Sequence, residues 1–507
     1  GPELGFHPTS SALETVAKDL PSSIPVVTTD DIYAGIDFQP LSLGTAVGRL
    51  HLTTAAALAT EYVSFQDIVV LDEAPNDISV VQGIVTAAFQ TPLSHINVLS
   101  RNRHTPNMGL RGALDDPSLR AFDGQLAHLV VGADAWSIES ISPEDAEQWW
   151  ADHAPDPVEL PPMNLDETEL RDIAEVTPEP TGEQSLRDVI KETVRAYGGK
   201  AAHYSILVRT SGVPIKDGFA IPLHYYEQFM RENGFYDKIA AMIADPDFVT
   251  DAGVRDAALG ELRQQMMTAP LNAEFLALLV AKMPSLGVAK LRFRSSSNSE
   301  DLDGFPCAGC YNSYSAYIDD LDDVQNAIRH VYADVWQFRT FEERAYYGVD
   351  HASVGMALLV HQNFQDEEAN GVAVTANPFD ASGLDPAFYV NVQQGGDVEV
   401  VHPPPGTTSD QLLYYFEQPN QPTSYITRSS LTAGEPVLTR AQLYQLGTAL
   451  AAIRERFSAA YGPASGNDGW YAMDVEFKFD DEADPGQPAT LYVKQARPYP
   501  DPWAASE

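Results

Sequence analysis

The sequence predicts a multidomain chain of mixed class, an α/β domain followed by an α+β domain, and three observations carry that prediction. Its 507 residues are 44% hydrophobic, too long for one core and apolar enough for several. Over the first 150 or so residues, short β-rich runs alternate with small-residue helical stretches, as in a compact α/β domain. From about residue 186 onward, amphipathic helices alternate with strands in a pattern that suits a large antiparallel sheet.

Taken in order, strands are expected at Pro25-Val26-Val27, at 47–52, at 67–71 and at 84–86. A helix should begin at Ser142-Pro143-Glu144-Asp145, with Ser as cap, Pro in the first turn and acids beside it. These elements make a first domain over 1–150. Residues 151–185 change character: Pro155, Pro157, Pro161, Pro162, Pro178 and Pro180 stand among many acids. That composition reads as an extended, poorly packed linker with a reach on the order of 100 Å, either a plain spacer or a tether that lets the first domain swing. Over 186–507, helices are expected at 254–267, 273–283 and 321–340. Strands are expected at 289–293, 355–361, 371–375, 473–479 and 490–494.

Charge narrows the function. There are 72 acidic against 31 basic residues, a net charge of -41. Such a surface repels nucleic acid and anionic membranes, which both need basic patches. It also repels ATP at long range, so an ATP site has to gather basic residues locally. No run of about 18 apolar residues occurs, so no membrane span is expected. Cys307 and Cys310 are the two cysteines; their spacing is half a zinc site, a redox pair, or two incidental small residues in a glycine-rich loop. The opening Gly1-Pro2 reads as the scar of a protease cleavage, so the native protein is expected to begin earlier. A cytoplasmic location is the expectation, with export left open.

Four segments could do chemistry. In Met473-Asp474-Val475-Glu476-Phe477, two carboxylates at i and i+2 share one face of a strand. They repel unless a cation lies between them, and Mg²⁺ takes such ligands together with nucleotide phosphates. Gln495 and Arg497, also two apart, follow on a second strand. In Arg292-Phe293-Arg294-Ser295-Ser296-Ser297-Asn298-Ser299-Glu300-Asp301, a strand ends in Arg, and a turn of small polar residues could offer N–H groups to an anion. Gly198-Gly199-Lys200 can bring backbone and ammonium to phosphates at a helix start, without Walker A spacing. In Thr91-Pro92-Leu93-Ser94-His95-Ile96, a His enters an apolar helical run. It is either a capping residue or, if phosphorylated, an imidazole facing free N–H groups and the positive helix end.

Together these segments resemble the superfamily of phosphoenolpyruvate synthase, pyruvate phosphate dikinase, the α-glucan water dikinases and rifampin phosphotransferase. The family's T-S-H-A-A-I-x-A-R-E-x-G-I-P-A pattern is similar to the run from Leu93 to Asn107, with His95 on its phosphorylated histidine. The nucleotide-domain motifs G-G-K, V-P-x-G-F, R-S-S-x-x-E-D, T-x-D-P, D-x-E and L-Q-x-R-P resemble a series in this chain. The series is Gly198-Gly199-Lys200, Val213-Pro214 with Gly218-Phe219, Arg294-Ser295-Ser296 with Glu300-Asp301, Thr375-Ala376-Asn377-Pro378, Asp474-Val475-Glu476 and Lys494-Gln495-Ala496-Arg497-Pro498. The family's G-L-G-E segment reads Val392-Gln393-Gln394-Gly395-Gly396-Asp397 here, a departure, and the barrel that binds phosphoenolpyruvate is not recognisable. The domain order is that of the glucan water dikinases.

The resemblance implies a swivelling phosphohistidine α/β domain followed by an ATP-grasp nucleotide-binding domain. It implies Lys200, Arg294 and Arg497 on phosphates, Glu300, Asp301 and Gln495 beside the nucleotide, and Asp474 and Glu476 on Mg²⁺. The ATP β-phosphate would pass to His95, with Lys200 and Arg294 assisting, and then to an unidentified acceptor, a glycan or small metabolite. Two other readings stay open: an ATP-grasp ligase that makes an acyl phosphate, and a non-catalytic nucleotide-binding regulator.

Overall fold

The computed structural model describes residues 21, 37–59, 61–75, 78–90, 96, 100, 103–299, 305, 311–364, 367–380, 382–395, 400, 407–467, 469–481, 488–499 and 501. These form a mixed α/β chain in two compact units. The described residues up to Val158, with Glu342–Val349, make one unit; Glu159–Phe341 and the described residues from Asp350 onward make the other.

The first unit is built on one seven-stranded sheet of order β1-β5-β4-β3-β2-β6-β7. The strands are β1 Phe38–Ser42, β2 Gly44–Leu52, β3 Asp67–Leu71, β4 Gly83–Thr86, β5 Asn107–Leu110, β6 Leu126–Val131 and β7 Trp136–Ser140. The pairs β2–β3, β3–β4 and β4–β5 are parallel. Strands β3 and β4 are buried at every position, as parallel strands covered on both faces should be. Side-chain alternation then makes two cores. Ile68, Val70, Val85 and Met108 enter one, and Val69, Leu71, Ile84 and Ile96 enter the other. Helix α1, Pro143–Asp152, is capped as its sequence predicts: Pro is in its first turn, and the Ser142 hydroxyl accepts from the Asp145 N–H at 3.1 Å. The strand expected at Pro25-Val26-Val27 lies outside the described residues.

Of the expected linker at 151–185, residues 170–177 are packed, while 151–169 and 178–185 are half-buried or exposed. Leu170, Ile173 and Val176 are buried. Arg171–Asp172 forms strand β8, and Ile173–Val176 a short helix. The apolar residues spaced among the acids supply a buried face that proline and acid content alone does not reveal.

The second unit has two antiparallel sheets where one large sheet is expected. The five-stranded sheet runs β11-β10-β12-β9-β8, with β9 Gly218–Ile221, β10 Lys290–Ser297, β11 Ser313–Tyr317 and β12 Met356–Gln362. The six-stranded sheet runs β16-β15-β14-β13-β17-β18, with β13 Ala369–Val374, β14 Phe388–Gln394, β15 Asp410–Tyr414, β16 Thr423–Thr427, β17 Met473–Asp480 and β18 Thr490–Pro498. Its helices include α2 (Leu186–Val208), α3 (Ala252–Thr268), α4 (Ala273–Lys282), α5 (Leu321–Asp334) and α7 (Arg440–Tyr461); α6 (Phe338–Tyr346) begins in it, and its residues from Glu342 belong to the first unit. The single helix expected at 321–340 is two, α5 and α6. The break falls beside Trp336, which is fully buried and donates its indole N–H to the Tyr226 hydroxyl at 3.0 Å. None of these helices by itself is long and apolar enough to cross a membrane.

Helix α7 covers one face of the six-stranded sheet, where Leu446, Leu450, Ile453 and Phe457 join Val390, Val475, Phe477 and Val493 in one core. Because Met473, Val475, Phe477 and Phe479 are the buried set, alternation turns Asp474, Glu476 and Lys478 to the opposite face.

Candidate functional site

The site lies within the second unit, where β10, β17, β18 and α2 meet. Strand β18 pairs antiparallel with β17, setting Arg497 opposite Asp474 and Gln495 opposite Glu476. Plain alternation from the buried Leu491 and Val493 would send Gln495 and Arg497 into the core. A bulge prevents this: Glu476 pairs with Gln495 but Phe477 pairs with Val493, so Lys494 is the extra residue. The bulge turns Gln495 and Arg497 to the face that carries the acids.

Strand β10 supplies the next group. The Arg294 guanidinium donates to the Glu476 carboxylate at 3.0 Å, to the Gln495 amide oxygen at 2.8 Å and to the Lys494 carbonyl at 2.6 Å. The Arg497 guanidinium donates twice to one Asp474 oxygen, at 3.0 and 2.9 Å. Thr375 ties its own segment to the start of β17, its hydroxyl accepting the Met473 N–H at 2.8 Å.

The Gly-Gly-Lys segment is brought to the same place by a break in α2. Gly198 has φ 74° and ψ 170° within the helical span, a left-handed value that favours glycine. A Cβ there would lie 1.9 Å from the Ser296 carbonyl oxygen, so the close approach of helix and strand also needs glycine. Ser296 fastens the broken turn: its hydroxyl donates to the Tyr197 carbonyl at 2.8 Å and accepts from the Ala201 N–H at 3.0 Å. Beside it the Lys200 ammonium donates to the Ser295 hydroxyl at 2.9 Å. The turn expected after Arg294 is therefore not a turn. The strand runs on through Ser297, and Ser295, Ser296 and Ser297 are buried, because their hydroxyls have partners on α2 and on nearby side chains.

Electrostatics follow from this packing. Burial alone would raise the Glu476 carboxyl, but Arg294, then Lys494, Arg497 and Lys200, hold it down at about 2. His361 on β12 stands opposite Arg292 on β10 and stacks on Tyr204 with ring centroids 5.7 Å apart. Burial, then the charge of Arg294, pushes its imidazole down to about 3, so the ring is neutral. Burial and Arg294 likewise lower the Lys494 ammonium to about 8, against the pull of Glu476.

Of the residues expected in the site, Lys200, Arg294, Asp474, Glu476, Gln495 and Arg497 converge. His95, Glu300, Asp301, Cys307 and Cys310 lie outside the described residues. Ile96, next to His95, is helical and buried, and its carbonyl accepts the Ser100 hydroxyl at 2.6 Å. In the departed G-L-G-E segment, whose Gly396 and Asp397 lie outside the described residues, Gln393 is engaged away from the cluster: its buried amide donates to the Thr408 carbonyl at 2.8 Å and accepts from the Ser429 hydroxyl at 2.5 Å. Sequence reasoning missed Lys478, Lys494, Arg292 and His361. The i, i+2 spacing that links Asp474 to Glu476 continues to Lys478, and that of Arg294 reaches back to Arg292. The bulge at Lys494 leaves no such signal.

Two acids, an amide and three cations on one half-buried face form a set able to hold a cation together with a polyanion. A family model described as pyruvate phosphate dikinase, AMP/ATP-binding domain, matches residues 194–501. That is more than half of the chain, and the chain belongs to this family. Phosphoenolpyruvate synthase of Neisseria meningitidis serogroup B (strain ATCC BAA-335 / MC58) is 29% identical over 257 residues, covering 49% of this chain and 30% of the relative. Rifampicin phosphotransferase of a Streptomyces sp is 29% identical over 197 residues, covering 38% and 22%. Phosphoenolpyruvate synthase of Escherichia coli (strain K12) is 22% identical over 250 residues, covering 48% and 29%. Each match spans less than a third of the relative's own length.

Proposed function

We propose that the chain is an ATP-dependent phosphotransferase of the dikinase type, with an ATP-grasp nucleotide domain in its second unit and a swivelling phosphohistidine domain in its first. The observation that carries the reading is the alternation of opposite charges over the site: Arg497 on Asp474, and Arg294 on Glu476 and Gln495. In each pair the acid suits a metal ion and the guanidinium a phosphate, so arrival of a metal nucleotide gives every group a new partner of the right sign.

The donor set fits Mg²⁺: two carboxylate oxygens sources on one face, with Glu476 held ionised by its neighbours. Asp474 and Glu476 would hold the ion, which when bound neutralises charge on the phosphates. Lys200, Arg294 and Arg497 would orient the chain of phosphates and stabilise charge on the transferring group. A neutral ring nitrogen of His95 would attack the β-phosphorus. An N–P bond forms and the bridge to the α-phosphate breaks, leaving AMP. The γ-phosphate goes to water or inorganic phosphate, and the N–P bond is then broken by an acceptor such as a glycan or small metabolite.

Product analysis tests this reading. Incubation with Mg²⁺ and ATP should yield AMP and phosphate in step. ADP as the sole nucleotide product would instead point to a ligase that makes an acyl phosphate, and binding without turnover to a regulator.

A further inference from the structure

In the first unit, Gln90 stands five residues before His95 and belongs to no helix or strand, yet its backbone and side chain are both held. The Gln39 carboxamide grips the backbone twice, donating to the Gln90 carbonyl at 2.9 Å and accepting the Gln90 N–H at 2.9 Å. The Gln90 side chain is bound as fully. Its amide donates to the Asn107 amide oxygen at 2.8 Å and to the Thr86 hydroxyl at 2.9 Å, and accepts from the Asn107 amide at 3.0 Å. Thr86, Gln90 and Asn107 are all buried. Connecting segments ordinarily move more than the elements they join; five hydrogen bonds fix this residue instead.

The two grips differ in what else they do. Asn107 opens β5 and Thr86 closes β4, so their buried bonds to Gln90 are part of the sheet's own packing. Gln39 is half-buried on the edge strand β1, and once its side chain is removed water can serve the two backbone groups it holds. Its share of stability is therefore small, and what it fixes is the path of the chain leaving Gln90. Its partner across the strands is Gly109. A Cβ there would lie 3.0 Å from the Gln39 amide oxygen, so glycine leaves the clamp its space.

We propose that Gln39 is a positioning residue for phosphoryl transfer, fixing through Gln90 the entry to the segment that carries His95. This rests on the proposed reading of His95 as the phosphate carrier. Transfer needs the attacking nitrogen and the phosphorus in near-attack geometry, where a misplacement of ~1 Å costs on the order of 100-fold in rate. A clamp on both backbone groups of one residue restrains the direction of the chain beyond it, which a single hydrogen bond does not.

The test follows label from β-labelled ATP onto the full chain in single-turnover time courses with Mg²⁺. In Gln39→Ala the rate constant of labelling at saturating ATP should fall ~10-fold or more. The labelled plateau, and the ATP concentration that gives half the maximal rate, should stay within about twofold of wild type. Gln39→Met, which fills the same space without hydrogen bonds, should be as slow as Gln39→Ala. A wild-type rate constant in either variant overturns the proposal. So does a lowered plateau with an unchanged rate constant, the result expected if Gln39 only keeps the first unit folded. Absence of label from the wild-type chain, or label elsewhere than His95, sinks the reading of His95 and the proposal with it.

Discussion

Arg294 on β10 and Glu476 on β17, 182 residues apart in sequence, meet at 3.0 Å. The contact joins the five-stranded sheet to the six-stranded one at the centre of the site. Arg294→Met should leave the Glu476 carboxylate without its nearest cation and the Gln495 amide oxygen without its donor. A stability loss of about 1–3 kcal/mol is expected, since Glu476 is partly open to water. Loss of ATP binding should be larger. Arg294→Lys should recover stability better than binding, because an ammonium cannot serve three acceptors in one plane. Urea unfolding and calorimetry on both variants check this; full recovery of binding by lysine would contradict it.

Gly198→Ala should cost about 2–4 kcal/mol, since its Cβ would enter the Ser296 carbonyl at a positive φ. Gly260→Ala is the control. Gly260 lies inside α3 with nothing within 4 Å of the added carbon, and the change should stabilise by up to about 1 kcal/mol. Unfolding midpoints of opposite sign are expected; similar shifts would mean that the break in α2 is not as tight as described.

These two cases show what the sequence made legible. The i, i+2 spacing of Asp474 and Glu476 fixed their common face, and the Ser142 cap fixed the start of α1, because both depend on neighbours a few residues away. What stayed hidden depends on distant partners. Ser295 to Ser297 look like a polar turn, yet they are strand, because α2 offers the Ser295 and Ser296 hydroxyls partners nearly a hundred residues earlier. The bulge at Lys494 is a single inserted residue that reverses every face after it, and no composition signal marks it. Residues 151–185 look like a spacer because prolines and acids dominate, while Leu170, Ile173 and Val176 within them are buried. One large sheet was expected where two form, since strand patterns do not say which strands pair.

Acid stability should depend on His361. Its folded pKa is about 3, below the 6.5 of an ordinary imidazole. Between those values the unfolded chain binds a proton that the folded chain does not. The neutral ring therefore costs nothing above about pH 6.5, and stability falls as pH drops toward 3, by up to about 1.4 kcal/mol per pH unit. In His361→Gln the decline over this window should be shallower by one proton's slope. Parallel declines in the two proteins would contradict the assignment.

Asp474→Asn combined with Glu476→Gln keeps the shapes of both side chains and removes both charges. Mg²⁺-dependent ATP turnover should fall by at least ~100-fold, with the unfolding transition still cooperative. Turnover that keeps its Mg²⁺ dependence would place the ion elsewhere, such as the carboxylates of Glu368, Asp480 and Asp481, which lie within 4.8 Å of one another.

The most direct measurement follows the β-phosphorus itself. ATP labelled at the β position, incubated with Mg²⁺ and the protein, should place an acid-labile, base-stable label on the chain. That label should map to His95, be absent with γ-labelled ATP, and disappear in His95→Ala. A chain that turns over ATP yet carries no β-label, or that keeps the label in His95→Ala, would contradict the account.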